Sequence, residues 1–453
     1  MTSLQTPPRR CLAIVLAAGE GKRMVSRKPK VLHELAGRSM LAHVLAALDG
    51  AAVDKIAVVV GATGDAIRAE AQRVRPNAEI FVQSAPRGTA HAVLAAKAAI
   101  AEGYDDIIVA FGDTPLVRAE TFTQLRAALA ERKAAVVILG FEANDPKGYG
   151  RLVLDGDDLI AIREQKDLKE SELGLTICNG GLMALAGKEA LGLLESIGTA
   201  NAQGEYYLTD AVSLAYGRRL GATALSVAEE EVLGINDRTQ LAAAEAVLQS
   251  RLRGKAMQAG VSFLDPASVY LSFDTTFEPD VTVEPNVFFG RGVKIGAGST
   301  IRACSHLEGA SVGKDCIIGP FARLRPGAEL ADNVHIGNFV EVKASKLAEG
   351  VKANHLAYIG DATVGARTNF GAGSITCNYD GFLKTKTEVG EGVFVGVNSA
   401  LVAPVKIGAG AYIGTGSVIT RDVEPDALAL ARERQIEKPG WAAAFRAKHK
   451  KPE

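Results

Sequence analysis

The chain has 453 residues, 47% of them hydrophobic, and a formal net charge of −1. This length predicts two or three domains, and the apolar content predicts buried cores rather than a disordered chain. The near-neutral charge argues against nucleic-acid or anionic-membrane partners, and no apolar run is long enough to span a bilayer. Five scattered cysteines without CxxC spacing predict reduced thiols in a cytoplasmic protein.

Residues 11–141 alternate between apolar runs rich in β-forming residues and helical patterns. Ser39 is a suitable N-cap for a helix over residues 39–49. Strands that alternate with helices predict a mostly parallel, doubly wound α/β sheet covered on both faces. The predicted strands are residues 11–18, 55–61, 79–83, 106–111 and 135–141.

A long helix is predicted after this sheet, over residues 237–259. Leu241, Ala244, Leu248 and Leu252 recur at helical spacing, and Asp237 stands at its start. We expect an amino-terminal domain over residues 1–236, a linker helix over 237–256, and a carboxyl-terminal domain over 257–453.

From residue 283 onward, an aliphatic or aromatic side chain recurs at every sixth position. A six-residue period fits neither a helix nor a flat sheet, and it predicts a parallel β-helix of triangular cross-section. The sixth side chain is expected to point inward, and the glycine that often follows is expected to let the backbone turn the corner. The runs include Val283, Phe289, Ile295, Ile301 and Leu307, then Val312 to Val342, and Val389 to Ile419.

The period slips at three places. Leu307 to Val312 is a five-residue step, residues 343–358 are expected to break the phase altogether, and residues 377–388 form an insertion. Loops that leave a solenoid often collect on one face and line a binding site. We therefore expect a functional site at the second and third breaks.

The first predicted strand runs into the sequence LAAGEGKRM, residues 16–24. A glycine loop after a first strand presents N–H groups to phosphate, and Arg23 and Lys30 add positive charge nearby. The run is neither a Walker loop nor a dinucleotide-binding GxGxxG motif. It resembles the signature of sugar-nucleotide pyrophosphorylases, LAAGxGxRM followed by KP and then K.

This resemblance implies transfer of uridylyl from UTP to a sugar 1-phosphate. Arg23 and Lys30 would be catalytic, and Asp113 and Asn236 would hold Mg²⁺. Taken singly, Asp113, Asn179 and Asn236 are no more than turn or cap residues; their order along the chain favours a site. The resemblance implies a binding set for UTP and UDP-N-acetylglucosamine of Leu16, Ala17, Ala18, Gly19, Lys30, Gln83, Gly88, Thr89, Phe111, Gly112, Asp113, Gly150, Glu164, Asn179 and Asn236.

The carboxyl-terminal half carries a second group of candidate residues around the phase breaks. Arg325, Lys343 and Tyr358 have side chains that suit a sugar phosphate. His355 suits a general base, because imidazole transfers protons near neutrality. Asn378 suits a hydrogen-bond donor to a thioester carbonyl that becomes an oxyanion.

Both halves together resemble the family of bifunctional N-acetylglucosamine-1-phosphate uridyltransferase/glucosamine-1-phosphate N-acetyltransferases over essentially the whole chain. The resemblance implies a Rossmann-like nucleotidyltransferase domain, then a left-handed parallel β-helix of hexapeptide repeats that assembles as a homotrimer. His355 would accept a proton from the amine of glucosamine 1-phosphate. The sugar phosphate would be bound by Arg325, Lys343, Tyr358 and Asn369, and acetyl-CoA by Ala372, Asn378, Tyr379, Val397, Thr415 and Arg432.

Three positions depart from that family's pattern. Lys22 stands where Thr is usual, Val397 where Ser is frequent, and Thr415 where Ala is common. Val397 has no side-chain donor for the coenzyme and Thr415 is larger than Ala, so the sugar-side assignments are stronger than the coenzyme-side ones.

The leading hypothesis is that the solenoid acetylates glucosamine 1-phosphate, and the first domain couples N-acetylglucosamine 1-phosphate to UTP for cell-wall precursors. One alternative is a single-function nucleotidyltransferase whose β-helix serves for trimerisation or regulation; the cluster of Lys343, His355 and Tyr358 argues against it. A second is a non-enzymatic scaffold, against which Asp113, Asn236 and the glycine loop argue. A third is an enzyme that uses another nucleotide such as dTTP.

Overall fold

The computed structural model describes residues 9–19, 21–156 and 158–449. The chain divides into two compact units, Met1–Arg251 and Leu252–Glu453. All five cysteines are free thiols, as their spacing predicted. Within the described ranges, no helix is both long enough and apolar enough to cross a bilayer.

The first unit is built from alternating strands and helices. Its strands are β1 (Cys11–Ala17), β2 (Glu34–Leu35), β3 (Arg38–Ser39), β4 (Lys55–Gly61), β5 (Glu79–Gln83), β6 (Asp106–Phe111), β7 (Val136–Glu142), β8 (Arg151–Asp155), β9 (Asp158–Arg163), β10 (Ile177–Ala186) and β11 (Ala222–Ser226). Its helices are α1 (Met40–Gly50), α2 (Asp65–Val74), α3 (Thr89–Leu94), α4 (Lys97–Ile100), α5 (Ala119–Glu131), α6 (Gly187–Leu194), α7 (Asp210–Gly217) and α8 (Arg238–Gln258), whose last residues belong to the second unit.

The main sheet has the strand order β11-β7-β10-β6-β1-β4-β5, with the β8–β9 hairpin attached to β10. Every neighbouring pair along that order is parallel except those of β10, which runs antiparallel to β6 and β7. Alternate residues of β1 belong to two separate hydrophobic clusters, so helices cover both faces of the sheet. The predicted doubly wound, mostly parallel sheet is confirmed, and the predicted strands lie within one residue of their observed bounds.

Two predicted helix starts are also confirmed. The Ser39 hydroxyl accepts a hydrogen bond from the Ala42 N–H (3.2 Å) at the start of α1. The Asp237 carboxylate accepts one from the Gln240 N–H (2.9 Å) at the start of α8. Each satisfies a backbone donor that the first turn of a helix leaves without an intrahelical partner.

The second unit is a solenoid of short strands followed by helix α9 (Trp441–His449). Its strands are β12 (Ser262–Phe263), β13 (Thr276–Phe277), β14 (Thr282–Val283), β15 (Phe288–Phe289), β16 (Lys294–Ile295), β17 (Thr300–Ile301), β18 (His306–Leu307), β19 (Ala310–Val312), β20 (Ile317–Ile318), β21 (Arg323–Leu324), β22 (Ala328–Leu330), β23 (His335–Asn338), β24 (Glu341–Lys343), β25 (Ser345–Leu347), β26 (Lys352–His355), β27 (Tyr358–Gly360), β28 (Ala362–Val364), β29 (Asn369–Phe370), β30 (Ile375–Cys377), β31 (Thr387–Val389), β32 (Phe394–Val395), β33 (Ala400–Val402), β34 (Val405–Ile407), β35 (Tyr412–Ile413), β36 (Val418–Ile419) and β37 (Leu428–Ala429).

Successive strands fall on three parallel sheets in rotation, as a three-sided left-handed β-helix requires. Sheet I runs from β12 through β14, β17 and onward to β37; sheet II runs from β15 to β36; sheet III runs from β13 to β34. Val283 pairs with Ile301, eighteen residues later, so one coil consumes three hexapeptides. The side chains at the predicted sixth positions are all buried in one continuous core. The predicted β-helix is therefore confirmed.

The prediction that residues 343–358 break the phase altogether is wrong. Leu347 and Ala353 occupy the inward positions of this stretch and are buried, and their strands pair in register with the coils on either side. The six-residue period is hard to recognise here for two reasons. The step from Val342 to Leu347 is five residues long, and the next inward residue, Ala353, is an alanine rather than a larger aliphatic residue. The third break is real: Phe370 pairs with Val395, twenty-five residues later, because the insertion lengthens that coil.

The role predicted for the glycines that follow inward residues also needs correction. Gly319 has a φ of 97°, but Gly296 is absent from the residues with positive φ. A Cβ on Gly296 would lie 2.6 Å from the carbonyl group of Gly313 in the next coil. Glycine at such positions mainly allows close approach between coils, whereas most corners use a left-handed residue three places before the inward side chain, such as Gly292.

Candidate active sites

A pocket of about 270 Å³ lies at the edge of the first unit's sheet where β1, β5 and β6 end. Parallel strands present their carboxyl ends at one edge, so segments distant in sequence converge there. Ten residues of the predicted nucleotide set line this pocket: Leu16, Ala17, Ala18, Gly19, Lys30, Gln83, Gly88, Thr89, Phe111 and Asp113.

The segment of Gln83, Gly88 and Thr89 is held by a local hydrogen-bond network. The buried Gln83 amide donates to the Gly88 carbonyl at 3.3 Å. The Thr89 hydroxyl accepts from the Leu208 N–H at 2.9 Å. Gly88 has a φ of 117°, and a Cβ on it would lie 2.7 Å from the Tyr206 nitrogen, so this turn requires glycine. The wall predicted to recognise the base is thus held by hydrogen bonds and close backbone packing.

Asp113 and Asn236, the two predicted metal ligands, lie side by side. The Ile235 N–H donates to the Asp113 carbonyl at 3.0 Å, which brings Asn236 next to Asp113. Lys30 forms a mostly buried ion pair with Asp113, and its Nζ donates to Asn236 Oδ1 at 3.2 Å. Both side-chain oxygens therefore converge on a single cation.

Gly150, Glu164 and Asn179, predicted to contact the amino sugar, form a second group. The Asn179 N–H donates to the Gly150 carbonyl at 2.8 Å, and a Cβ on Gly150 would lie 3.4 Å from Glu164 Oε2. Asn179 Oδ1 accepts from the Gly181 N–H at 3.0 Å, and Gly181 faces the ring of Phe111 in the nucleotide pocket. Burial raises the pKa of Glu164, and the nearby acids Asp167 and Asp210 add to that shift.

Five residues of the predicted set do not line the pocket, and neither does the predicted catalytic residue Arg23; the five are Gly112, Gly150, Glu164, Asn179 and Asn236. Arg23 lies in the short turn Lys22–Met24 with its side chain exposed, and Gly112 bonds through its N–H to the Leu16 carbonyl. Four lining residues were not predicted: Val31, Pro86, Ala92 and Glu205. Glu205 reaches the pocket because it lies three residues before Leu208, whose N–H donates to the Thr89 hydroxyl. No local pattern in the sequence predicts that contact.

In the second unit, His355 belongs to a column of residues along one corner of the solenoid. Each member directly precedes a left-handed residue or glycine at the corner between sheets I and II, so the members occupy equivalent places in successive coils. We call this set the corner column; it consists of Asn338, His355, Ala372, Val397 and Thr415. It includes three of the residues predicted to contact acetyl-CoA.

Among the residues that the structure describes, His355 has one side-chain hydrogen-bond partner, which also belongs to the corner column. Its Nδ1 lies 2.7 Å from Asn338 Oδ1 on the adjacent strand. Because the amide oxygen only accepts, Nδ1 carries the proton and Nε2 is left to accept one. The side chain of His355 is exposed, so a substrate amine can reach it.

Lys343 and Tyr358 lie on neighbouring strands of sheet II, next to the corner. Lys343 Nζ lies 3.9 Å from the Asp361 carboxylate, and Asn378 donates to Asp361 and, at 3.4 Å, to the Tyr358 hydroxyl. A Cβ on Gly360 would lie 2.5 Å from the Tyr358 ring, so glycine makes room for that side chain. The Asn378 amide, which is predicted to donate to an oxyanion, therefore donates to Asp361 in this structure.

The remaining predicted residues are more scattered. Arg325 donates to Glu341 at 2.8 Å. Asn369 lies on β29 in register with Lys352. Tyr379 lies in the insertion with its side chain exposed, and Arg432 is exposed beyond β37. Neither Tyr379 nor Arg432 belongs to the corner column.

Comparison with protein families matches both units. Residues 13–209 match the MobA-like NTP transferase domain. Residues 309–344 and 386–421 match the bacterial transferase hexapeptide model of six repeats.

Several curated relatives match almost the whole chain. The Bifunctional protein GlmU of Azorhizobium caulinodans is 57% identical over 444 residues, which cover 98% of this chain and 99% of the relative. That of Bradyrhizobium sp. is 59% identical over 441 residues, with 97% and 98% covered. That of Xanthobacter autotrophicus is 57% identical over 444 residues, with 98% and 99% covered. The chain therefore belongs to the family of bifunctional GlmU proteins.

Proposed function

We propose that this chain makes UDP-N-acetylglucosamine in two steps, at two separate sites. As a member of its family, it is a uridyltransferase and an acetyltransferase on one chain, and the single-function alternative is disfavoured. The observation that carries the proposal is that full-length family membership coincides with two groups of candidate side chains, one in each compact unit.

In the first unit, we propose that UTP enters the nucleotide pocket and N-acetylglucosamine 1-phosphate occupies the group of Gly150, Glu164 and Asn179. A phosphate oxygen of the sugar phosphate attacks the α-phosphorus in line, and pyrophosphate leaves. Such transfers depend mainly on positioning and charge stabilisation rather than on side-chain chemistry. Lys30 and Arg23 supply positive charge for the phosphates.

The pair of Asp113 and Asn236 fits Mg²⁺. Mg²⁺ is usually held by one or two protein oxygens, substrate phosphates and waters, and the convergence of both side-chain oxygens on the Lys30 ammonium supports a cation site here. When bound, the metal supplies charge neutralisation at the phosphates. Asp113 and Asn236 would hold it, and Lys30 would be released to contact phosphate.

In the second unit, we propose that His355 Nε2 accepts a proton as the amine of glucosamine 1-phosphate attacks the thioester carbonyl of acetyl-CoA. The new bond joins the amine nitrogen to the acetyl carbon, and the coenzyme leaves as its thiolate. Lys343, Arg325, Tyr358 and Asn369 would bind the sugar phosphate. The coenzyme would lie along Ala372, Val397 and Thr415, with Asn378, Tyr379 and Arg432 completing its site.

We propose a homotrimeric assembly, supported by the unequal chemistry of the three sheets. The outer face of sheet III is polar and carries the ion pairs of Lys346 with Glu329 and of Lys406 with Glu388. Large exposed apolar side chains lie instead on sheets I and II and on the corner between them, including Phe288, Phe321, Phe339, Leu356, Ile375, Phe394, Tyr412 and Val418. A three-sided prism with two apolar faces can contact two neighbours in a closed ring. The five free thiols support a reducing, cytoplasmic location.

A paired assay on the full chain tests the two-site proposal. One arm follows thiol released from acetyl-CoA with glucosamine 1-phosphate, and the other follows pyrophosphate released from UTP with N-acetylglucosamine 1-phosphate. His355→Ala should lower only the first rate, and Asp113→Ala only the second, each by about a hundredfold or more. Pyrophosphate release without any thiol release from the wild type would reduce the solenoid to a scaffold.

A further inference from the structure

Asp361 is an acidic residue within the candidate site of the second unit. Its carboxylate accepts a hydrogen bond from the Asn378 amide and lies 3.9 Å from Lys343 Nζ. The same amide lies 3.4 Å from the Tyr358 hydroxyl. Asp361 therefore joins a residue predicted to bind the sugar phosphate to a residue predicted to donate to the thioester carbonyl, although it belongs to neither predicted binding set.

The backbone of Asp361 forms the corner between β27 on sheet II and β28 on sheet III. It has a φ of 49°, and its N–H donates to the Lys343 carbonyl at 3.1 Å. In the preceding coil, Ala344 occupies the equivalent corner with a φ of 44°. Because alanine is accepted there, the corner conformation does not by itself account for a carboxylate at residue 361.

Asp361 also contacts both ends of the insertion over residues 377–388. Near the start of the insertion, its carboxylate holds the side chain of Asn378, which is buried. Near the end, its backbone carbonyl accepts from the Thr387 N–H at 3.2 Å. The Asn378 carbonyl accepts from the Thr385 N–H at 2.9 Å, so the backbone of Asn378 is fixed independently of its amide. The amide therefore takes its orientation from Asp361.

The contact with Asp361 determines which end of the Asn378 amide faces which way. A carboxylate only accepts hydrogen bonds, so the NH2 group of the amide, rather than its oxygen, faces Asp361. That NH2 group carries two N–H donors, and Asp361 takes one of them. The other is left with the Tyr358 hydroxyl at 3.4 Å, a long contact that a substrate carbonyl oxygen can replace. Without Asp361, the amide would be free to present its own oxygen, which repels an oxyanion.

We propose that Asp361 is a positioning residue for acetyl transfer, which turns an N–H of Asn378 toward the thioester carbonyl. The inference rests on the proposed acetyl transfer. As the amine attacks, the carbonyl oxygen gains negative charge, and a donor that is already oriented stabilises this charge without reorganisation. The same carboxylate lies beside Lys343 and competes with the sugar phosphate for its ammonium group. Asp361 thus weakens the binding of the sugar phosphate while it orients Asn378.

Steady-state kinetics of acetyl transfer by the full chain separate these two effects. Asp361→Ala removes both the acceptor and the charge, so it should lower kcat about tenfold and lower KM for glucosamine 1-phosphate about threefold. Asp361→Asn keeps an acceptor oxygen without the charge, so kcat should return to within about threefold of the wild type while KM stays low. A purely structural role would raise KM instead, because a loosened site binds its substrate less well.

Glu388→Gln is the matched control, because this exposed carboxylate pairs with Lys406 on the outer face of sheet III. It should leave kcat and KM within about twofold of the wild type. Wild-type kcat in Asp361→Ala would overturn the proposal, as would a raised KM in both Asp361 variants or a kcat in Asp361→Asn no higher than in Asp361→Ala. A wild-type protein that releases no thiol from acetyl-CoA would overturn the proposed reaction itself, and this inference with it.

Discussion

His355 and Asn338 show how one contact decides what a residue can do. They lie seventeen positions apart in the sequence, yet Nδ1 of His355 meets Oδ1 of Asn338 at 2.7 Å. The contact orients the imidazole and leaves Nε2 as the proton acceptor. The sequence contains seven histidines, and this contact distinguishes His355 from the others.

Asn338 is therefore expected to be a positioning residue for acetyl transfer. Asn338→Ala should lower kcat about tenfold with little change in KM for either substrate, because the base loses its orientation rather than its chemistry. Asn338→Asp keeps an acceptor and adds negative charge, which favours the protonated imidazole. It should move the ascending limb of the pH–rate profile to higher pH; a profile that coincides with the wild type would contradict this role.

Glu164 illustrates a residue whose environment opposes its ionised form. Burial raises its pKa, so the folded protein binds this proton more tightly than the unfolded chain does. The ionised carboxylate therefore lowers the free energy of unfolding at pH 7, and this loss disappears as the pH falls through its raised pKa.

Glu164→Gln should accordingly stabilise the first unit and impair its reaction. We expect Tm to rise by about 2 °C at pH 7, with the gain shrinking under acidic conditions, and KM for N-acetylglucosamine 1-phosphate to rise. Calorimetric scans at several pH values test the change in Tm, and initial-rate measurements test the change in KM. Glu142→Gln on β7, where the carboxylate is exposed, is the control that should change neither.

At the scale of the element, the solenoid depends on which residue of each strand turns inward. Strand β25 lies in the stretch where the period is hardest to see, and there Leu347 is buried while its neighbour Lys346 is exposed. A five-residue step shifts the next inward residue out of the six-residue count, but the side chains within the strand still alternate between inward and outward. The pairing with β22 and β28 keeps the coil in register.

Leu347→Ala and Lys346→Ala form a matched pair on that strand. The first should lower the free energy of unfolding of the solenoid by about 3 kcal/mol, because it leaves a cavity in a close-packed core. The second removes an exposed ion pair with Glu329 and should cost less than about 1 kcal/mol. Denaturant titrations compare them, and equal costs would mean that the inward positions are misassigned.

At the scale of the whole molecule, the chain combines two compact units with different cores. The first unit buries helices against both faces of a sheet, and the second stacks identical positions of successive coils. The corner column runs beside a ridge of exposed apolar residues, formed by Phe321, Phe339 and Leu356. The rings of Phe321 and Phe339 stack in this ridge with their centroids 5.3 Å apart. Phe339 has a φ of 56°, a conformation that bulky residues rarely adopt.

We expect this ridge to pack against a second copy of the chain in the proposed trimer. Phe321→Glu combined with Phe339→Glu should reduce the mass measured by sedimentation from three chains to one and abolish acetyl transfer, because charges replace apolar contacts. Uridylyl transfer should persist. Ser311→Glu combined with Thr363→Glu adds the same charge on sheet III and should leave the trimer intact; dissociation by both pairs would argue against a specific interface.

Much of this architecture follows from local pattern. Apolar strands between helical segments predicted the sheet of the first unit, and the six-residue period predicted the β-helix, because each depends on a repeat that neighbouring residues display. The glycine loop and Lys30 pointed to a phosphate site for the same reason. The exceptions occur where the pattern is interrupted: Ala353 fills an inward position without an aliphatic signature, and Glu205 enters the nucleotide pocket through a loop.

The sequence by itself determined the two fold classes, the order of the two units and most of the candidate residues, since periodicity and short motifs are local properties. Only the tertiary structure decided which side chains meet: Lys30 with Asp113 and Asn236, His355 with Asn338, and the alignment of Ala372, Val397 and Thr415 in one column. Those contacts join residues from different strands and coils. Their geometry depends on sheet register and corner conformation, which no local pattern encodes.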